Sequence, residues 1–321
     1  MPLTLSPLSR RRVLATSLAA DTAMMVDPQD LMGPRPRRDP NRVVLISDTH
    51  IATDPATVER GVNMVEHMKA MVAQVLALDG GDGPPARVLH CGDCAHHTGE
   101  TSDYEHFVAL LQPWRLAGLP IHLAMGNHDQ RERFGKVVPY QALGDGAVFG
   151  DLAQRYVMVA PTPRADWVML DSLDQTNEVP GTVGQAQLDW LAEVLDDPSR
   201  GGKPVLVMVH HQMDEPPAVS APDAPPHKLT GLVDTRALLD VLLPRRQVKA
   251  LFVGHTHRWS ITQVEGLHLV NLPAVAYVFR EGQPSGWVDA HLMEKGLRMR
   301  LQCLDERHAK HGEVVELTWR E

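Results

Sequence analysis

Cysteine is scarce in this sequence: its 321 residues include only three, an odd number that does not make a disulfide framework. Cys91 and Cys94 are two residues apart, as in redox and zinc motifs. However, the chain has neither a second cysteine pair nor a thioredoxin-like helix start beside them. We therefore interpret both cysteines as small residues that pack around the end of a strand.

Long apolar runs and an excess of basic charge are missing as well. No run approaches the roughly 20 residues that a membrane-spanning helix needs, so we expect no span. The formal net charge of -9 argues against general affinity for nucleic acid or anionic membranes, which needs a basic surface. The unusual abundance is in histidine, with 17 residues against five phenylalanines.

The N-terminal region contains a possible export signal. Residues 9–14 (SRRRVL) resemble a twin-arginine signature, and a short apolar segment from Val13 to Ala20 follows. The alternative is a basic, disordered leader, which a proline-rich stretch continues as a linker. We assign residues 1–41 to this leader and linker, and residues 42–321 to a single domain. Export and a cytoplasmic location both stay open.

From Arg42 onward, predicted strands and helices alternate. Apolar residues at helical spacing predict a helix from Pro55 to about Leu78, and further helices over 103–111, 185–195 and 230–243. After Gly254 the pattern changes to short strands, which include one predicted from Val275 to Phe279. This pattern favours one domain with two packed sheets and helices on the outside.

Polar clusters recur along the chain, and most of them follow an apolar run. In order, these clusters are Asp48-Thr49-His50, Gly92-Asp93, Gly126-Asn127-His128-Asp129, His210-His211 and Gly254-His255-Thr256-His257. In an open α/β sheet, ligands bind at the C-terminal ends of the strands, so we expect these clusters to converge there. Carboxylate together with imidazole suits manganese, iron or zinc better than calcium. The number of ligands exceeds the needs of one site and fits two metals that share one carboxylate.

These five ordered motifs resemble the calcineurin-like metallophosphoesterase family over residues 43–257. The resemblance implies a four-layer α/β/β/α sandwich, with two mixed sheets flanked by helices, and a binuclear metal centre. It also implies metal ligands: Asp48, His50 and His257 for one ion, Asn127, His210 and His255 for the other, and Asp93 as the bridge. His128 would lie beside the substrate without binding metal, and Asp129 would orient it.

The pair His210-His211 departs from the family pattern, because Gln212 stands where the family usually has proline. Side chains alternate along a strand, so only one of the two can face the metals. We favour His210, and His211 would then lie behind the ligands, beside the substrate or on the surface.

Further residues, including Gly99, Glu100, Tyr104, Phe107 and Pro120, resemble the bacterial cyclic-nucleotide and glycerophosphodiester phosphodiesterase branch of the family. His96 lies where purple acid phosphatases carry a tyrosine ligand, which argues against that branch. We interpret His96 and His97 as loop residues near a polar cleft, with substrate contact as the alternative. Arg131 is a candidate phosphate contact or else a solvated arginine.

The resemblance therefore predicts a metal-dependent hydrolase of a small phosphate ester, most simply a phosphodiester. A metal-bridging hydroxide would attack phosphorus, and His128 would act as acid or charge stabiliser. The alternatives are a phosphomonoesterase with the same centre, a nuclease and a non-catalytic binding module. Substrate contacts would come from two loops, Gln130 to Asp151 and Gln212 to Thr230. The metal (manganese, iron or zinc) and the oligomeric state stay open.

Overall fold

The structure is a computed structural model, and it describes residues 3–5, 37–78, 83–138, 148–149, 157–214 and 228–321. The twin-arginine segment and the proline-rich stretch 216–226 lie outside these residues. The same holds for half of the predicted loop from Gln130 to Asp151.

The strands of the two large sheets, together with one short hairpin, account for the β-structure of the described residues. In chain order the strands are β1 (Leu3–Leu5), β2 (Asp39–Ile46), β3 (Val58–Glu59), β4 (Val62–Asn63), β5 (Pro85–His90), β6 (Ile121–Leu123), β7 (Val148–Phe149), β8 (Met158–Pro161), β9 (Asp166–Met169), β10 (Val205–Met208), β11 (Val248–Val253), β12 (Ser260–Val264), β13 (Leu267–Asn271), β14 (Gly286–Met293), β15 (Gly296–Cys303) and β16 (Val314–Thr318). The helices are α1 (Met64–Leu76), α2 (Thr101–Leu110), α3 (Gln112–Leu116), α4 (Arg131–Val137), α5 (Gln185–Asp196) and α6 (Thr235–Leu242), with a 3₁₀ turn at Pro198–Arg200.

Both large sheets are mixed. The first has the order β1-β6-β5-β2-β14-β15-β16, and the second has the order β12-β13-β11-β10-β9-β8-β7. At the centre of the first sheet, β2, β5 and β6 are parallel, and in the second β9, β10, β11 and β13 are parallel. The remaining pairs are antiparallel. The polar clusters of the sequence follow the C-terminal ends of these parallel strands.

Alternation of side chains along the central strands places a core on each face of a sheet. In β2, Val43 and Leu45 join the core between the two sheets, and Val44 and Ile46 pack against the side where α1 and α2 lie. The third core lies between the second sheet and helices α5 and α6. The layers are therefore α/β/β/α, and the predicted four-layer sandwich is confirmed.

Some predicted elements differ from the structure, and one of them is the helix predicted over 230–243, which begins only at Thr235. The helix expected to start at Pro55 begins only at Met64, where the Asn63 side chain accepts from the Glu66 main-chain N–H. The preceding residues form the β3–β4 hairpin, whose turn residues Arg60 and Gly61 both have positive φ. The segment Val275–Phe279, predicted as a strand, is an irregular loop.

Two strands lie near or before the predicted start of the domain at residue 42. β2 begins at Asp39, and Leu3–Leu5 pairs antiparallel with β6 although it lies in the predicted leader. In the part of the chain that the structure describes, no helix has the length and apolar character needed to cross a membrane.

Candidate metal centre

The loops that leave β2, β5, β10 and β11 are tied together by main-chain hydrogen bonds. Asp48 N–H donates to Gly92 O (3.0 Å), Thr49 N–H to Asp93 O (2.9 Å), and Gly254 N–H to His210 O (2.9 Å). These hydrogen bonds fix the loops at the strand ends of both sheets before any ligand binds. As a result, side chains far apart in sequence are held at one edge of the sandwich, as the strand-end pattern predicts.

An uncommon backbone conformation is concentrated in these loops. Five of the residues predicted to bind metal have φ between 46° and 62°, a range in which non-glycine residues are uncommon. They are Asp48, His50, Asp93, His255 and His257. Such backbone strain persists only where the surrounding structure imposes it, and it clusters at functional sites. The sequence motifs alone gave no sign of this feature.

The first ligand group contains Asp48, His50 and His257, whose candidate ligand atoms all lie within 4.8 Å of one another. His50 Nε2 is 3.0 Å from His257 Nε2, which in turn is 3.3 Å from Asp48 Oδ1. His257 Nδ1 donates to Tyr277 O (2.6 Å), so in the neutral ring the Nε2 lone pair points toward this group. Three lone-pair donors therefore converge on one point.

The second group contains Asp93, His210 and His255, with Asn127 beside them. His210 Nε2 is 3.2 Å from Asp93 Oδ2, and Asn127 Oδ1 is 2.8 Å from His255 Nδ1. His210 Nδ1 donates to Cys91 O (2.9 Å), which orients the ring. The structure thus brings together all seven residues predicted as ligands.

Close backbone contacts require glycine at two of the motif positions. A Cβ atom at Gly126 would lie 2.2 Å from Asp93 Oδ1 and 2.4 Å from the Asp93 main-chain nitrogen. A Cβ atom at Gly254 would lie 2.1 Å from Ser47 Oγ and 2.8 Å from Asp48 Oδ2. Because real Cβ contacts are not this short, these two glycines let the chain pass directly against the carboxylates.

The site concentrates charge in a region screened from water. Burial would raise the pKa of Asp48, but the neighbouring His257 and His210 hold this pKa well below its usual value. Burial would lower the pKa of His210, but the Asp93 carboxylate outweighs it and raises the pKa to about 9. Burial also lowers the pKa of His255 to about 4. Both carboxylates are therefore ionised, and they attract positive charge into the site.

The chemistry of the donor set fits bound metal ions. Two carboxylates, an amide oxygen and four imidazoles are ligands that manganese, iron and zinc accept. Among the described residues, His210 Nε2 is buried against Asp93 Oδ2 at 3.2 Å, so an imidazole nitrogen and a carboxylate oxygen that can both bind metal lie side by side. The main-chain carbonyls that hold Nδ1 of His210 and His257 are the kind of support that fixes metal-binding histidines.

His128 lies at the edge of this centre. Its main-chain N–H donates to Asp93 Oδ1 (2.8 Å), and its Nδ1 donates to His97 O (2.8 Å). The ring centroid is 5.1 Å from that of His50. Because Nδ1 is held by a carbonyl, Nε2 is the nitrogen left for a substrate.

The Asp129 carboxylate has partners other than the His128 ring in the structure. This buried carboxylate accepts from the main-chain N–H groups of Cys94, Ala95 and Gly126 and from the Tyr104 hydroxyl. Asp129 therefore fastens the Gly126–Asp129 loop to the loop that carries Asp93. The carbonyl of His97 orients His128 instead, and a main-chain acceptor of this kind has no signature in the sequence.

Two other predicted candidates, His211 and Arg131, lie outside the ligand groups. His211 Nδ1 is 2.8 Å from Ser172 Oγ, and its ring packs on His255 at 4.8 Å, so His210 is the one that faces the carboxylates. Arg131 makes a two-pronged ion pair with Asp171 (2.9 and 3.0 Å), which argues against the phosphate contact.

The Cys91 and Cys94 thiols are both buried, and burial raises their pKa values. The Cys91 thiol lies 3.4 Å from Val209 O. Neither cysteine belongs to a metal-ligand group found among the described residues, in agreement with a packing role.

An open cleft of about 570 Å³ adjoins the centre on the side of His255 and His257. At its rim, the Phe279 ring stacks on the His257 ring at 4.1 Å and is 48% exposed. Arg258 and Arg280 also line the cleft. These cleft residues could not be predicted from the sequence, because Phe279 falls in a segment predicted as a strand and no motif includes it.

A family model described as calcineurin-like phosphoesterase matches residues 41–259. The chain belongs to this family, and the prediction of a phosphate ester hydrolase is confirmed. The family uses divalent metal ions, for which the two ligand groups are the candidates.

Curated relatives of the chain include a probable cyclic nucleotide phosphodiesterase from Synechococcus sp., 28% identical over 260 residues that cover 79% of this chain and 88% of the relative. Another is the 3′,5′-cyclic adenosine monophosphate phosphodiesterase CpdA from Pseudomonas aeruginosa, 27% identical over 77% of this chain and 80% of the relative. The fold also resembles that of a dimetal phosphatase from Danio rerio, with a TM-score of 0.59 and 16% identity over 87% of this chain and 99% of that protein.

Proposed function

We propose that the chain hydrolyses a cyclic nucleotide, or a closely related small phosphodiester, at a binuclear metal centre. The observation that carries this proposal is the position of one atom. Asp93 Oδ2 is 3.6 Å from His50 Nε2 of the first group and 3.2 Å from His210 Nε2 of the second. A carboxylate between two ligand groups is placed to join two ions, and two-metal sites are a common solution for phosphoryl transfer.

The ligands divide between two ions. Asp48, His50 and His257 would hold one ion, Asn127, His210 and His255 would hold the other, and Asp93 would be shared. We propose manganese, iron or zinc for both positions, because the set mixes oxygen and imidazole donors. When bound, two such ions acidify a water molecule and neutralise charge on the phosphoryl oxygens.

The protein's own contribution beyond these ligands comes mainly from His128. The hydrogen bond to His97 O keeps Nε2 directed away from that loop, and a protonated ring can give this proton to the oxygen that leaves phosphorus. Before this proton transfer, the Nε2–H group of His128 can donate a hydrogen bond to a phosphoryl oxygen. A diester gains from such a proton, since its alkoxide is a poor leaving group.

The substrate class is supported by the relatives and by the shape of the site. Both curated relatives are named as cyclic nucleotide phosphodiesterases, and each is covered over at least 80% of its length. The cleft beside His257 offers an exposed aromatic ring and arginine side chains to the part of the substrate beyond the phosphate. The His257 ring stacks on Phe279, and the Arg60 guanidinium lies over the Phe279 ring at 5.0 Å, so a base would stack in the place of Arg60.

An assay of metal-loaded protein on a substrate panel tests the proposal. The panel contains 3′,5′-cyclic AMP, a glycerophosphodiester, 5′-AMP as monoester, and single-stranded DNA, each at equal concentration. We expect the highest kcat/KM on a small diester, and we expect the activity to be lost in Asp93→Asn. Preference for 5′-AMP would show a phosphomonoesterase, preference for DNA a nuclease, and no turnover at all a binding module.

The location of the protein is a separate proposal that rests on residues 9–14. If these residues direct export, Arg10→Lys combined with Arg11→Lys keeps the protein in the cytoplasm with residues 1 to about 20 intact. Unprocessed wild-type protein in the cytoplasm would contradict export.

A further inference from the structure

A second place where metal-binding side chains meet lies outside the five motifs. Glu59, His96 and His97 each offer a ligand atom, and these atoms all lie within 4.8 Å of one another. Glu59 ends strand β3 of the short hairpin, and the two histidines lie in the loop after Asp93. We propose that these three residues form a peripheral site for one divalent transition-metal ion of the zinc type.

The two imidazoles lie side by side in the loop after Asp93. Their ring centroids are 3.8 Å apart with the planes at 52°, which is neither a flat stack nor a hydrogen-bonded pair. His97 has φ 47°, in the same uncommon region as the residues of the central ligand groups. The loop thus adopts an unfavourable conformation that brings the two rings together, and tertiary contacts must maintain it.

His96 offers a nitrogen lone pair that has no hydrogen-bond partner among the described residues. Its Nε2 atom is buried and has no hydrogen-bond partner within the described ranges of the chain. A metal ion at this point gives Nε2 the partner that the protein does not.

Both sides of the site are fixed by the fold. The main-chain N–H of His96 donates to Ile51 O (3.1 Å), and Glu59 pairs with Val62 across the tight turn at Arg60-Gly61. The ligands are therefore positioned by backbone that is already hydrogen-bonded. Binding then requires little ordering of the chain.

The ligand set indicates the class of ion. Two imidazoles and one carboxylate match the donors of catalytic zinc sites, which leave a fourth position open. The exposed side of His97 gives that position access to water. Calcium and magnesium prefer oxygen ligands alone, so this site selects against them.

The site is next to the catalytic region. His97 O is the acceptor that holds His128 Nδ1 at 2.8 Å, so an ion on the His97 ring fixes the residue whose carbonyl positions His128. Occupancy of the peripheral site is thereby connected to the placement of the proposed acid. Metal binding at the peripheral site does not require a substrate to be bound at the central metals.

Anomalous diffraction at the zinc edge, on crystals of the zinc-loaded full chain, locates the ions directly. We expect peaks at the central ligand groups and one further peak between Glu59, His96 and His97. In Glu59→Gln, the peripheral peak disappears and the central peaks stay. Zinc peaks at the central groups alone in the wild type would overturn the proposal.

Calorimetric titration with Zn²⁺ gives the same test in solution, after the central sites have been filled. The wild type should show one additional binding event, and Glu59→Gln and His97→Gln should weaken it at least about tenfold. Glu105→Gln, which removes a charge from an exposed glutamate of α2, is the matched control and should bind like the wild type. Equal affinity in all four proteins, or no additional event in the wild type, would refute the site.

Discussion

Replacement of His128 by alanine separates its chemical role from its structural one. The variant keeps the main-chain N–H that donates to Asp93 Oδ1 (2.8 Å), so the shared carboxylate stays in place and we expect metal content to be unchanged. It loses the imidazole and with it the proton donor. General acid catalysis contributes about 10²–10⁴-fold, which is about 3–5 kcal/mol of activation free energy.

The assay compares two phosphodiesters that differ in their leaving group. On an alkyl diester we expect kcat to fall by about 10²–10⁴-fold, because the alkoxide needs the proton. On bis-nitrophenyl phosphate the loss of kcat should be clearly smaller, since nitrophenolate is a good leaving group without a proton. His106→Ala is the control: His106 Nδ1 also donates to a main-chain carbonyl (Ala52 O, 2.8 Å), but it lies outside the site.

The outcomes distinguish the possible roles. Equal losses on both substrates would show that His128 binds phosphate or stabilises charge and is not the acid. No loss on either substrate would remove His128 from the catalytic residues. A similar loss in His106→Ala would show that the effect comes from the loop structure.

Three further substitutions test other parts of the structure. Gly126→Ala should displace Asp93 by about 1 Å, and a shift of that size costs about 10²-fold in kcat. Gly312→Ala, in the turn between β15 and β16, should leave kcat unchanged, even though its φ of 77° makes alanine unfavourable there. Cys94→Ala should keep its metals and most of its activity by metal analysis and assay, and loss of a metal would show that the thiol is a ligand. Phe279→Ala should raise KM for cyclic AMP by about 5–150-fold, from about 1–3 kcal/mol of stacking, without changing KM for a base-free diester; equal KM changes on both would contradict stacking.

The positions of the ligands could be predicted because their signal is local. Each ligand cluster follows an apolar run or a strand, and the C-terminal ends of parallel strands share one edge of a sheet. Asp48 after β2 and His255 after β11 illustrate this, although the two strands lie in different sheets. The family resemblance supplied the number of sheets and layers. Which strands belong to which sheet depends on contacts distant in sequence, and it was not predicted.

The errors have physical causes that are equally specific. Val58 and Val62 continue the helical spacing of α1, yet they lie in a hairpin because Asn63 caps the helix and Arg60-Gly61 makes the turn. An asparagine three residues before Glu66 is a recognisable N-cap, so this start could have been found. The contacts of Asp129 could not have been predicted, since its partners are main-chain N–H groups that the tertiary structure brings to it.

Metal analysis of Asp93 variants tests the shared-carboxylate centre most directly. Manganese-loaded, dialysed wild-type protein should contain close to two ions per chain, because Asp93 Oδ2 lies between both ligand groups. Asp93→Ala should lose affinity for both ions, whereas His257→Ala should chiefly lose one. Wild-type protein that holds one ion or none, or Asp93→Ala protein that still holds two, would contradict a binuclear centre joined at Asp93.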